Sequence, residues 1–216
     1  MEEIATPSSA RSGLWTGLAL TAVILALSLV VAKLPRGAGQ AAQPLPVLGR
    51  VSPFTLTNQL GQETTLAKLQ GQIWIADVIF TRCQSSCLNL TRRMAALQSK
   101  LPPGDKVQLI SLSADPEYDT PAVFRKYAET HQADSARWQF LTGSKKEVYR
   151  LAVEDLKFVV LDKSQEKREP LEEMFVHSTL FAVVDPRGQV RGYFDGATPT
   201  AQEQVLAAVR QLLKEK

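Results

Sequence analysis

Residues 73–80, Ile-Trp-Ile-Ala-Asp-Val-Ile-Phe, form an apolar run of mostly β-branched and aromatic side chains broken by one acid, Asp77. Such a run predicts a strand buried on both faces, which needs a further layer of structure on each side of its sheet. The chain's only two cysteines, Cys83 and Cys87, follow at once in Thr81-Arg82-Cys83-Gln84-Ser85-Ser86-Cys87. After them Leu90, Met94 and Leu97 recur at helical spacing. The thiols therefore fall where a strand hands over to a helix. Unsatisfied N–H groups and the helix dipole at that point stabilise a thiolate and lower its pKa. The polar Gln-Ser-Ser spacer predicts accessible sulfurs. Residues four apart in a first helical turn share a face. Four readings of the pair stay open: a redox disulfide, two ligands of one soft metal ion, a structural disulfide, or two unrelated buried thiols.

The rest of the chain supplies the layers. Residues 54–66 read as a β-hairpin turning near Asn58 to Gly61, and Thr65 can cap a short helical turn over 67–69. Pro102-Pro103-Gly104-Asp105 ends the cysteine helix, and 107–113 is a second strand. Thr120 is the expected N-cap of a helix with Pro121 at its first position and Phe124, Tyr127 and Ala128 on its inner face. Residues 137–142 form a short strand, and Ser144 caps a helix through Val148, Leu151 and Ala152. Residues 158–161 are strand-like and lead into a charged, mobile loop. Asp185-Pro186-Arg187-Gly188 spells the turn between strands at 178–184 and 190–194, and 202–213 is a closing amphipathic helix. This alternation demands a central mixed sheet flanked by helices. With a dithiol at the first strand–helix junction, the economical architecture is α/β and thioredoxin-like, with the hairpin as an N-terminal extension.

Ahead of that domain, residues 14–32 are nineteen without a charge, long enough to span a bilayer as a single helix. A signal peptide has a shorter apolar region and a small-residue cleavage site, whereas here Lys33 follows directly, which favours a retained anchor. No cysteine follows the span to carry a lipid. The division expected is a tail over 1–13, a transmembrane anchor over 14–32, a flexible linker rich in Pro, Gly, Ala and Gln over 33–50, and a folded domain over 51–216. Counting Lys and Arg, the flanks of the span differ by one charge and barely set its orientation. The net charge of +3 is scattered, with no phosphate-binding stripe, so nucleic acid is not an expected partner.

The chain has two histidines. His131 ends a polar helix and reads as a surface residue. His177 leads directly into a buried strand, a place held by the sheet yet open to solvent, which suits a metal ligand. Two thiolates and an imidazole are soft enough for Cu(I) and can also hold Cu(II). A closed structural zinc site normally takes four ligands. Asp77 lies on the strand face of Ile73, Ile75 and Ile79; there its carboxyl would be desolvated and able to pass protons to a thiol, or simply be satisfied by backbone. Asp115 and Asp119 read as turn and cap residues. A peroxidase of the thiol type wants Thr three positions before its reactive cysteine, and that position is Phe80.

Four blocks, taken in order, resemble the Sco (SenC-type) copper chaperones of respiratory oxidase assembly. They are Phe80-Thr81-Arg82-Cys83-x-x-x-Cys87, Asp115-Pro116-x-x-Asp119-Thr120-Pro121, Trp138-x-x-Leu141-Thr142-Gly143, and His177-Ser178-Thr179 followed by Asp185-Pro186-x-Gly188. The resemblance covers the whole domain. It implies a thioredoxin-like fold, copper held by Cys83, Cys87 and His177, and delivery to, or thiol reduction of, the copper site of cytochrome c oxidase subunit II. It also implies a monomeric domain on the periplasmic side of a bacterial inner membrane, and it leaves a metal-free thiol–disulfide oxidoreductase role for Cys83 and Cys87 as the alternative. Two positions depart from the family pattern: Leu88 stands where Pro usually follows the second cysteine, and Val176 where Asp often precedes the histidine. The first loosens a preset of the helix start. The second removes a carboxylate able to orient the imidazole.

Overall fold

The computed structural model describes residues 24–26, 28, 43–83, 86–104, 106–163 and 175–215, with the side chains of 175–177 left aside. Two units are separated at Gln43 and Pro44. In the first, the described residues 24–26 and 28 are helical, and the Ser28 hydroxyl donates to the carbonyls of Ile24 and Leu25. Among the described residues no helix is long and apolar enough to cross a membrane. Most of the span expected over 14–32, and the linker up to residue 42, lie outside them.

The second unit is built on a six-stranded sheet. Its central strand β4 (Ile73–Ile79) is buried at all seven positions, as an apolar run without alternation requires. Parallel to it runs β5 (Val107–Ser113), and parallel to β5 runs β6 (Trp138–Leu141). On the other side β9 (Leu180–Val184) is antiparallel to β4, followed by β10 (Gln189–Asp195) and the edge strand β1 (Gly49–Arg50). A hairpin of β2 (Thr55–Thr57) and β3 (Glu63–Thr65) stands apart, as does a small antiparallel pair, β7 (Val160–Asp162) with β8 (Phe175–His177).

Among its described residues five helices complete the unit: α1 (Leu66–Leu69), α2 (Ser86–Lys100), α3 (Pro121–Thr130), α4 (Lys145–Tyr149) running on as a π-helix over Arg150–Asp155, and α5 (Ala201–Leu212). The caps are those the sequence signals: the Thr120 hydroxyl accepts from the Val123 amide and the Ser144 hydroxyl from the Glu147 amide, each at 3.3 Å. Successive strand residues face opposite ways, and β6 shows both layers. Phe140 packs on Phe124 of α3 at 5.5 Å, while its neighbour Gln139 receives the Thr64 hydroxyl of the hairpin at 2.6 Å. Helices α2, α3 and α5 therefore cover one face of the sheet, and the hairpin with α1 covers the other.

The ordered unit begins earlier than the sequence suggests. Gly49 and Arg50, expected in the linker, pair with Val190 and Gln189 of β10. The cause lies at Arg191, where a bulge shifts the β9–β10 register and the side chain, 3% exposed, turns inward. Its guanidinium meets Asp185 and Glu215, each at 2.8 Å, and donates to the carbonyls of Leu45 and Pro46. One buried cation thus ties the incoming chain, the β9–β10 turn and the C-terminal end together.

Candidate dithiol and metal centre

Strand β4 ends at Ile79, and the chain turns through Phe80 to Arg82, with the Cys83 amide donating to the Phe80 carbonyl at 3.2 Å. Cys87 is the second residue of α2, on the face that also buries Leu90, Thr91, Met94 and Leu97. The two cysteines are not joined in a disulfide. Their side chains are hydrogen-bonded to each other, and the Cys83 sulfur lies 3.8 Å from the Ser86 hydroxyl.

Both sulfurs are more deeply placed than the polar spacer predicts: Cys83 is 4% exposed and Cys87 is fully buried. At Cys87 the core side of the helix, not the composition of the turn, decides access. Burial also reverses the expected acidity at Cys87. Its thiol is pushed up chiefly by desolvation, then by the hydrogen bond with Cys83, against a backbone hydrogen bond at Phe80; the charges of Cys83 and Asp77 raise it further. Desolvation outweighs the helix terminus here.

Asp77 is fully buried in β4 and electrostatically felt at Cys87 and at Tyr127. The Tyr127 hydroxyl shares a 2.8 Å hydrogen bond with Thr91, so a cluster of polar groups lies under the thiols. His131, expected at the surface, is half-buried against the Tyr127 ring at 4.4 Å. Desolvation and the nearby Arg92 charge lower its pKa.

His177 closes β8 opposite Val160 in the small pair with β7. The next amide, of Ser178, donates to the Val159 carbonyl at 2.9 Å, and Thr179 then leads into β9. Thr179 lines a cleft of about 300 Å³ together with Ser86, Asn89 and Leu90 of α2 and with Gly196. The segment that carries His177 thus passes across a cleft from the first turn of the cysteine helix. Among the described residues no three His, Cys, Asp or Glu side chains gather as a metal site, and the His177 ring lies outside that description.

Sequence reasoning missed the grip on the turn before Cys83. Arg82 pairs with Asp115 at 2.5 Å and lies over the Tyr118 ring at 4.2 Å. Asp119 does not cap α3, since Thr120 does; its carboxylate accepts from the Thr81 hydroxyl at 2.5 Å. These partners are 33 and 38 residues apart, beyond any local pattern.

A mixed sheet with a dithiol where its central strand hands over to a helix defines a thioredoxin-like protein with its thiols drawn into the core. The SCO1/SenC family profile matches residues 46–214, and the chain belongs to that family. The SCO1 protein homolog of Bacillus subtilis is 34% identical over 167 residues, covering 76% of this chain and 83% of that one. The structure of BsSco, described as a member of the Sco family of cytochrome c oxidase assembly proteins with a disulfide switch, superposes with a TM-score of 0.68 at 32% identity. It spans 81% of this chain and 100% of its own. Arabidopsis thaliana ScoI, solved with copper bound, gives a TM-score of 0.62 at 21% identity, covering 74% of this chain and 98% of that one, a likeness of fold.

Proposed function

We propose that this chain is a membrane-anchored copper carrier that helps assemble the copper site of cytochrome c oxidase. Copper is its cargo, held by Cys83, Cys87 and His177. The observation that carries the reading is the pair of hydrogen-bonded thiols at the end of β4, with the connection from His177 to Thr179 facing the first turn of α2 across one cleft. Thiolates select soft ions and imidazole suits copper, so this donor set accepts Cu(I) and tolerates Cu(II). Loading releases the thiol protons, which makes affinity rise with pH. Family membership and the oxidase-assembly role of BsSco support the same reading. The domain would stand on the periplasmic side of a bacterial inner membrane, a monomer tethered by the helix over 14–32 through the residues up to 43, with subunit II of the oxidase as acceptor.

Anaerobic titration of the reduced chain with Cu(I) is expected to give one copper per chain, with visible and EPR spectra of the Cu(II) form changed in Cys83→Ser, Cys87→Ser and His177→Ala. Unaltered affinity and an unaltered Cu(II) spectrum in His177→Ala would remove the third ligand.

The hydrogen bond between the thiols favours a second reading, a tethered thiol–disulfide oxidoreductase. Cys83, the less buried of the two, would attack and Cys87 resolve. Metal-free turnover of a disulfide substrate, indifferent to His177→Ala, distinguishes it.

A further inference from the structure

The two sulfurs are held by different means. Cys87 rides on a fifteen-residue helix packed into the core. Cys83 sits on a short turn, and the loop between β5 and α3 grips that turn. Asp119, fully buried, accepts from the Thr81 hydroxyl at 2.5 Å, the Thr81 amide at 3.3 Å and the Ser113 hydroxyl at 2.7 Å. The Ser113 hydroxyl oxygen in turn accepts from the Asp115 amide at 3.0 Å, and Asp115 pairs with Arg82. Tyr118 backs the same guanidinium. Within the loop the Asp119 amide donates to the Asp115 carbonyl at 2.8 Å, so the gripping side is itself closed.

We propose that residues 113–119 form a clamp that sets the position of the Cys83 sulfur relative to Cys87, with Asp119 as the positioning residue of the dithiol. This rests on the reading that the dithiol is the working group of the protein. Going from two hydrogen-bonded thiols to a bond of about 2.05 Å, or to a shared metal ion, requires Cys83 to move, because Cys87 is fixed by its helix. The stiffness of the Thr81 anchor therefore enters the free energy of every state the site visits. An aspartate fits this position, because a carboxylate accepts several directed hydrogen bonds at once and bonds to a charged acceptor are stronger than neutral ones. The alternative, a residue that merely stabilises α3, leaves the carboxylate's reach to Thr81 unexplained, since Thr120 already caps that helix.

The test is the equilibrium of the metal-free full chain with glutathione. The dithiol and oxidised glutathione give the Cys83–Cys87 disulfide and two reduced glutathione molecules; two electrons and both thiol protons pass to glutathione. Asp119→Asn and Thr81→Val are each expected to change this equilibrium constant about tenfold, the scale of one hydrogen bond to a charged group. The double variant should move it no further than the larger single change, because both cut one link. Uniform destabilisation of the fold lowers melting temperature without moving this constant. Should Asp119→Asn not fold, Thr81→Val carries the test alone. Constants within twofold of wild type in the folded variants, or effects that simply add, would overturn the clamp. Cu(I) titration of the wild type separates the two readings: no copper binding with a shifted constant keeps the clamp and removes the carrier, and normal copper binding with an unshifted constant does the reverse.

Discussion

Gly196 and Leu90 compete for one space: a Cβ on Gly196 would stand 2.4 Å from Leu90 Cδ2 and 2.6 Å from the Thr179 carbonyl oxygen. The contact presses the end of β10 against the cysteine helix and against the residue that follows the His177 segment. It is reinforced by the Gly196 amide, which donates to that Thr179 carbonyl at 2.7 Å, and by Arg93 of α2, which donates to the carbonyl of Ala197 at 3.1 Å.

Gly196→Ala is therefore expected to cost about 1–3 kcal/mol, the usual range for overpacking. The displaced backbone is that of Thr179, so the loss should come with weakened Cu(I) binding. Urea denaturation followed by a competitive Cu(I) titration checks both.

The Asp119 carboxyl is pushed up to about 6 from 3.8, first by burial and then by the Asp115 charge, against hydrogen bonds from Thr81 and Ser113. The folded chain therefore holds this proton more tightly than the unfolded one. Its contribution to stability is complete below the unfolded pKa and is lost as pH rises through the folded one. At roughly 1.4 kcal/mol per unit, this group should lower the unfolding free energy by up to ~3 kcal/mol between about pH 4 and pH 7. Asp119→Asn removes that slope. Urea midpoints of both proteins across the range decide it.

Arg191 and Asp185 are an ion pair with both side chains nearly inaccessible, at 3% and 2%. Removing one partner of such a pair typically costs about 3–5 kcal/mol, because the other charge stays buried. Arg191→Ala should reach that range and also release residues 44–50 from β10. Limited proteolysis is expected to cut there first, ahead of the rest of the domain.

Leu88 occupies the third position of α2 and is half-buried. The first turn of a helix tolerates proline, so Leu88→Pro is expected to fold. Restricting the unfolded chain should raise stability by about 0.4–1 kcal/mol. A loss instead would mean that the Leu88 side chain is needed where it packs, and a denaturant midpoint reads either result.

What could be read from the sequence was what is local. The uniform apolarity of residues 73–79 marked β4, and Thr120 and Ser144 announced their helices because capping is settled within three residues. The Asp185 turn was legible for the same reason: its carboxylate accepts from the amides of Arg187 and Gln189 just ahead. Strand β1 was not, because two residues with no apolar pattern become a strand only through β10 and the Arg191 bulge. The depth of Cys87 is not legible there because a polar spacer reports its own hydration, not what α2 presents to the core. The Thr81–Asp119 and Arg82–Asp115 links join the loops that follow two neighbouring strands, and no spacing rule spans them.

The Arg191 knot has a mechanical consequence. Strand β10 meets β9 near Val184, which lies beside Trp74 at the start of β4, whereas Cys83 follows its end. A seven-residue strand at about 3.3 Å per residue puts roughly 20 Å of sheet between the two. A pull applied at Pro44 would arrive at the far rim, where Arg191 shares it among β10, the adjoining β1 and Glu215. The loop that carries the sulfurs would be spared that load, since none of the residues that share it lies at the strand end before Cys83.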